Sequence, residues 1–157
     1  MQKIVTNLWF DTESEEAAGF YISIFPNSKI VNITHYLEAG PREAGMVLTV
    51  DFELDGQRFT ALNGGPDFKF NEAISLLVPC ETQAEIDEYW KRLSDGGEEG
   101  PCGWLKDRYG VSWQITPVAL EDMISDPDTA KANRAMAAML KMGKLDLAAL
   151  QKAYDGS

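Results

Sequence analysis

A chain of 157 residues has the length of one average domain and can bury about two-thirds of its unfolded surface, so it needs no disulfide or metal staple. Its 14 basic and 25 acidic residues leave a net charge of −11, which argues against nucleic-acid and anionic-membrane partners, because both require clustered positive surface. No apolar run approaches the roughly 18 residues of a membrane span, and the start, MQKIVTNLWFD, lacks the apolar stretch and cleavage site of a signal peptide, so a cytoplasmic protein is expected.

Residues 3–10 (KIVTNLWF) read as a first strand, with Ile4, Thr6, Leu8 and Phe10 on one face and Val5, Asn7 and Trp9 on the other. Asp11 or Thr12 can cap a helix over 13–25, whose Glu-rich first turn suits the helix dipole. Pro26-Asn27-Ser28 ends it, and KIVNITHYL (29–37) is a second strand. After the polar loop 38–45, strands at 46–54 and 58–63 are joined by Asp55-Gly56, a strong hairpin signal. Asn63-Gly64-Gly65-Pro66 reads as a turn opening a linker to about residue 72; it lacks the strand–GxGxxG–helix context of a phosphate loop.

AISLLVP (73–79) is the next strand, followed by a helix over 82–94 that Asp95-Gly96-Gly97 stops. Residues 98–117 carry a strand, a turn near Arg108-Tyr109-Gly110 and the strand VSWQITP. In the tail, Asp126-Pro127 reads as a cap with proline at the first helical position. Met136, Met139 and Leu140 supply that helix with an apolar stripe for packing, Gly143 ends it, and Asp146 starts a last helix through Leu147, Leu150 and Tyr154.

One helical pattern occurs twice. Ala17, Phe20, Tyr21 and Ile24 follow i, i+3, i+4, i+7 spacing, and Ile86, Tyr89, Trp90 and Leu93 repeat it 69 residues later. A strand precedes each copy and a Gly-turned hairpin follows each. The chain is therefore expected to be a single domain, 1–157, with an internal repeat (3–65 and 72–117) and a helical tail (118–155). Two strand–helix–strands units make a curved sheet with a hollow side suited to a small molecule.

The residues LWFD…EEAAGFY, FPNSKI, LDGQRFTALNGGP, PCETQAEIDEYW and CGWLKDRYGVSWQITP, in this order, resemble the PhnB-like branch of the vicinal-oxygen-chelate superfamily. That superfamily includes glyoxalase I, extradiol dioxygenases and bleomycin-resistance proteins, and this branch is often labelled "3-demethylubiquinone-9 3-methyltransferase domain". The resemblance implies an α+β fold: two βαβββ modules forming a curved, mostly antiparallel sheet of the glyoxalase/bleomycin-resistance type, followed here by the helical tail. It also implies a homodimer.

In metal-binding members, four His, Glu or Gln side chains on sheet strands hold a divalent ion. Carried onto this chain, the last-strand positions fall on Thr60 and Gln114, and the first-strand positions on Val5 or Asn7 and on Ala73 or Ser75. Neutral amides and hydroxyls are poor sole ligands for a catalytic transition metal, so the usual metal site is not expected and no cofactor is assigned. His35, the only histidine, lies on another strand. Cys80 and Cys102 are expected to be free thiols; without a CxxC pair they make no zinc site.

Alternation places Val111, Trp113 and Ile115 against a helix and turns Ser112, Gln114 and Thr116 to the hollow face. The ligand-pocket residues read this way are Asn7, Trp9, Thr60, Ser75, Leu77, Ser112 and Gln114, with Cys102 and Trp104 of the unusual CGWLKD stretch as rim. Cys102 is a nucleophile only if a base or cation lowers its pKa, and Asp107 reads as a turn cap. No catalytic residue is assigned.

The leading functional reading is a small-molecule-binding vicinal-oxygen-chelate protein of unknown substrate and reaction, with Trp9 and Trp104 as stacking surface. The alternatives are a metal-dependent lyase or dioxygenase of the glyoxalase type and a non-catalytic binding or sequestration dimer. Methyltransferase activity in the literal sense is not expected, because the first strand is not followed by the Gly-rich turn of a Rossmann-type fold.

Overall fold

The apolar side chains of each strand–helix pair close on one another and leave the other sheet face to the solvent side. In the computed structural model, which describes residues 3–157, this happens twice. The chain divides into two compact units, Met1–Phe70 and Asn71–Ser157.

The first unit runs β1 (Thr6–Phe10), α1 (Ser14–Ile24), β2 (Lys29–His35), β3 (Val47–Leu54) and β4 (Gln57–Asn63). Its sheet has the order β1-β4-β3-β2, with β1 parallel to β4 and the other two pairings antiparallel. β1 starts three residues later than the apolar pattern predicts, because its ladder begins where Thr6 meets Phe59 on β4. Likewise β2 stops at His35 rather than residue 37. Leu8, Phe10, Val50, Phe52, Phe59 and Ala61 are buried with Ala17, Tyr21 and Ile24 of α1. The stacked rings of Tyr21, Phe52 and Phe59 form the centre of this core.

Neither Asp11 nor Thr12 caps α1. The N-cap position is Glu13, without a side-chain bond, and the free Ser14 N–H donates instead to Asn63 Oδ1 at 2.9 Å. The same Asn63 donates through Nδ2 to the Val47 carbonyl, and its own carbonyl accepts the Tyr36 hydroxyl. A buried amide 49 residues away thus satisfies the helix end that local sequence leaves open.

The second unit runs β5 (Ser75–Cys80), α2 (Gln83–Ser94), β6 (Glu98–Glu99), β7 (Trp104–Lys106) and β8 (Ser112–Pro117), then α3 (Val118–Ile124), α4 (Thr129–Met139) and α5 (Leu147–Asp155). The sheet order is β5-β8-β7-β6, again with one parallel pairing, β5 with β8. Thr82 caps α2 by accepting the Glu85 N–H. Ile86, Trp90 and Leu93 of its inner stripe are buried, as are Val111, just before β8, and Trp113 and Ile115 within it.

The tail differs from expectation in four places. A helix, α3, follows β8 directly at Val118. The cap of α4 is Asp128, which accepts the Ala130 and Lys131 N–H groups, rather than Asp126. α4 ends at Met139, not at Gly143, because the carbonyl of Gly143 and that of Met142 accept Gly103 N–H and Cys102 N–H. Nor do Met136 and Leu140 form the buried stripe: both are exposed, and Ala132 and Ala135 take the inner face. Small residues permit close packing against the cluster of Leu120, Met123, Leu145 and Leu150. Asp146 caps α5 as expected.

Candidate functional site

In the second unit the strands bring two rows of side chains across the face opposite α2. Ser75, Ser112, Lys106 and Glu98 are in register from β5 to β6, and Leu77, Gln114 and Trp104 form the next row. Two hollows lie on either side of Trp104 and Cys102. One, of about 520 Å³, is lined by Glu72, Glu98, Glu99, Trp104, Lys106 and Ser112 among others. The second, of about 310 Å³, is lined by Leu77, Gln114 and Thr116 from the sheet and by Leu120, Ile124 and Met139 from the tail.

The rim is held in an unusual backbone. Cys102 has φ 58° and Gly103 φ 84°, and a side chain on Gly103 would meet the Ile115 carbonyl at 2.8 Å and Leu145 at 3.0 Å. Glycine at 103 is therefore required, and the tail sits directly against it. This geometry presents both Cys102 and Trp104 to the hollows. Cys102 is half-buried; Cys80, fully buried, is pushed up to about 11, first by burial and then by the Glu85 charge. Cys80 therefore lacks the thiolate-stabilising surroundings of a nucleophile.

The polar groups divide into satisfied and unsatisfied ones. Gln114 Nε2 donates to Ser75 Oγ at 2.8 Å. Lys106 pairs with Glu72, and the hydrogen bond to that carboxylate raises the lysine's pKa. Ser112 is 1% exposed, and its Oγ has no hydrogen-bond partner among the described residues. A buried hydroxyl left alone costs about 1–3 kcal/mol. Asp107, by contrast, is fully used: it accepts from Tyr109 N, Val111 N and Trp113 Nε1, which makes it the clasp of the β7–β8 turn.

In the first unit the corresponding face carries Asn7 opposite Thr60 and Thr60 opposite Asp51. Thr60 Oγ1 donates to Asp51 Oδ1 at 2.7 Å. Trp9 lies two residues along from Asn7; its Nε1 donates to the Gly65 carbonyl and its ring meets Phe68 edge-on at 5.0 Å. A side chain at Gly64 would fall within 2.4 Å of the Trp9 ring, so the Asn63-Gly64-Gly65 turn serves as a seat for that indole. His35 is exposed at the end of edge strand β2.

The ladder registers show which side chains lie beside Thr60 and Gln114, the last-strand positions that the resemblance implies. Asn7 faces Thr60, and Leu77 faces Gln114 with Ser75 bonded to it. At these positions the donor set of amide, hydroxyl and aliphatic groups lacks the imidazole, thiolate or carboxylate that a catalytic divalent transition metal needs. Among the described residues, no three His, Cys, Asp or Glu side chains are grouped to hold a metal ion.

Sequence reasoning missed Lys106, Glu72 and Asp51, and the tail residues Leu120, Glu121, Ile124 and Met139. Lys106 was within reach, since it lies two residues from Trp104 and so shares its face. The tail residues carried no such signal, because their place depends on how α3 and α4 pack.

The chain matches the family described as 3-demethylubiquinone-9 3-methyltransferase over residues 2–116, so α3, α4 and α5 lie beyond the matched region. It is similar to the PhnB protein from Bacillus cereus, with 41% identity, a TM-score of 0.67, and coverage of 74% of this chain and 100% of that one. Protein PA1353 from Pseudomonas aeruginosa has a TM-score of 0.61 at 17% identity, covering 74% of this chain and 98% of its own. The fosfomycin resistance protein FosX from Listeria monocytogenes has a TM-score of 0.57 at 15% identity, covering 80% and 98%. The last two establish likeness of fold alone. No curated protein matched the sequence. The chain belongs to the PhnB-like 3-demethylubiquinone-9 3-methyltransferase domain family, with the glyoxalase/bleomycin-resistance fold of the vicinal-oxygen-chelate proteins.

Proposed function

We propose that this protein binds a small apolar or aromatic molecule on the open sheet faces, using Trp104 and Cys102 as rim and Ser75, Leu77, Ser112 and Gln114 as floor. Asn7, Trp9 and Thr60 are the matching group on the first unit. The observation that carries this reading is the pair of hollows, about 520 and 310 Å³, flanking Trp104. Hollows of this size, apolar with a few placed polar groups, are what small-molecule sites need.

The test is a metabolite screen read by the indole resonances, with Trp104→Phe identifying its own signal. A ligand that shifts Trp104 and loses affinity in Gln114→Ala supports the reading. Gln114→Ala itself is expected to leave folding nearly intact, since its partner Ser75 is not fully buried. Unfolding by that variant would make Gln114 a core group and remove it from the site.

Any reaction here is proposed to run without the superfamily's usual ion, on the ground of the donor set. Metal analysis of purified protein should find no stoichiometric divalent ion; one per subunit would restore the glyoxalase-type lyase or dioxygenase reading. Despite the family's label, S-adenosylmethionine is expected to give no heat on titration. Micromolar binding would overturn that expectation. A homodimer is proposed from the family resemblance, with sedimentation velocity as its check. No helix among the described residues is long and apolar enough to cross a membrane.

A further inference from the structure

Among the described residues, the larger hollow has one cation, Lys106, and beside it one buried hydroxyl with no partner, Ser112 Oγ. The two stand in register on adjacent strands β7 and β8. A carboxylate already sits on Lys106, but it comes from Glu72, in the linker that precedes β5. The Glu72 side chain is 60% exposed and Lys106 is 37% exposed. An ion pair so exposed is weak and exchanges readily. We propose that this end of the hollow is a carboxylate subsite: Lys106 Nζ and Ser112 Oγ receive a ligand's acid group, and Glu72 is the internal carboxylate that the ligand displaces.

Three arguments support a monocarboxylate with a flat apolar body. The exchange puts one carboxylate in place of another, so the charge beside Lys106 does not change. Glu98 and Glu99 line the same hollow, and Glu98 stands across from Lys106, so a dianion meets more repulsion than a single acid. Trp104 and Pro101 supply the apolar wall next to the acid end. Because the Ser112 hydroxyl is shut off from solvent in this arrangement, the ligand reaches it only when neighbouring side chains part. The exposed Lys106–Glu72 contact is the one that parts at least cost.

The inference rests on the small-molecule reading of the Trp104 hollows, and the experiment separates the two. Phenylacetate, phenylethanol and phenethylamine share one ring and differ in charge. Each is titrated into the full chain, following the Trp104 indole resonance, in wild type and in Glu72→Gln, Lys106→Met and Ser112→Ala. Phenylacetate should bind in preference to the other two. Glu72→Gln should tighten it several-fold, because the competitor is gone. Lys106→Met should abolish the preference, and Ser112→Ala should weaken phenylacetate several-fold.

Weaker or unchanged phenylacetate binding in Glu72→Gln overturns the subsite, as does a preference for phenethylamine. Equal binding of phenylethanol overturns it too, while leaving the hollow as a binding site. No shift of Trp104 by any probe overturns both. Thermal melts check each variant; if Lys106→Met fails to fold, Lys106→Gln and the sign of the Glu72→Gln effect still decide.

Discussion

Asp107 lies one residue past Lys106 and two before Tyr109, in a run that reads as a polar turn. It is nonetheless 3% exposed and accepts three hydrogen bonds, the longest 3.1 Å. A buried carboxylate with three donors organises a turn more strongly than any local propensity. Asp107→Ala strands two backbone N–H groups and an indole N–H, and is expected to cost about 3 kcal/mol in urea unfolding. Cys80 gives a second prediction at the same scale. Its thiol, pushed up to about 11 in the folded chain, ionises first in the unfolded chain, near the ordinary value of 9.0. The unfolded state therefore loses its proton earlier, and stability falls as pH rises from 9.0 toward 11. Relative to Cys80→Ala, the wild type should lose stability across that window, and an unchanged difference would remove burial as the cause. In thiol titration near neutral pH, only Cys102 should react before unfolding.

At the scale of elements, the two modules use one helix stripe in the same way. Ala17, Tyr21 and Ile24 are buried with Phe20 at the margin; Ile86, Trp90 and Leu93 are buried with Tyr89 at the margin. That match is why i, i+3, i+4, i+7 spacing was enough to place both helices. Trp90→Ala removes a large buried ring whose Nε1 also donates to Glu99, and should cost about 3–5 kcal/mol by thermal or urea melts. A loss below about 1 kcal/mol would contradict the buried position. The capping of α1 was not legible, because its partner Asn63 is distant in sequence. The strand expected between residue 98 and the Arg108-Tyr109-Gly110 turn was only half legible: Gly100, Pro101 and the left-handed Cys102-Gly103 pair split it into β6 and β7.

At the scale of the whole molecule, the tail is tied to the second unit by directional bonds as well as apolar packing. Gln83 of α2 donates through Nε2 to the Leu145 carbonyl and accepts the Leu147 N–H at 2.7 Å. Cys102 and Gly103 donate to Met142 and Gly143. Since α3 and Met139 wall the smaller hollow, holding the tail also shapes the proposed site. Gln83→Ala should cost about 1–3 kcal/mol and raise amide exchange at residues 145–147 more than in β8. Uniform exchange across the second unit would mean that the tail and sheet open together.

Apolar spacing and turn chemistry alone determined the two modules, their helix stripes and the sidedness of β1, β5 and β8, because these follow from periods of about 3.6 and 2 in local sequence. The placing of Thr60 and Gln114 at the last-strand positions was equally local, requiring only the count from Gly56 to Thr60 and from Gly110 to Gln114. The tertiary structure decided the rest. Ladder register chose Asn7 and Leu77 as the partners of Thr60 and Gln114. Long-range packing left Ser112 buried without a partner, laid Glu72 on Lys106, and brought α3 and α4 around to make a wall. Those outcomes depend on residues tens of positions apart meeting in space, which no local period encodes.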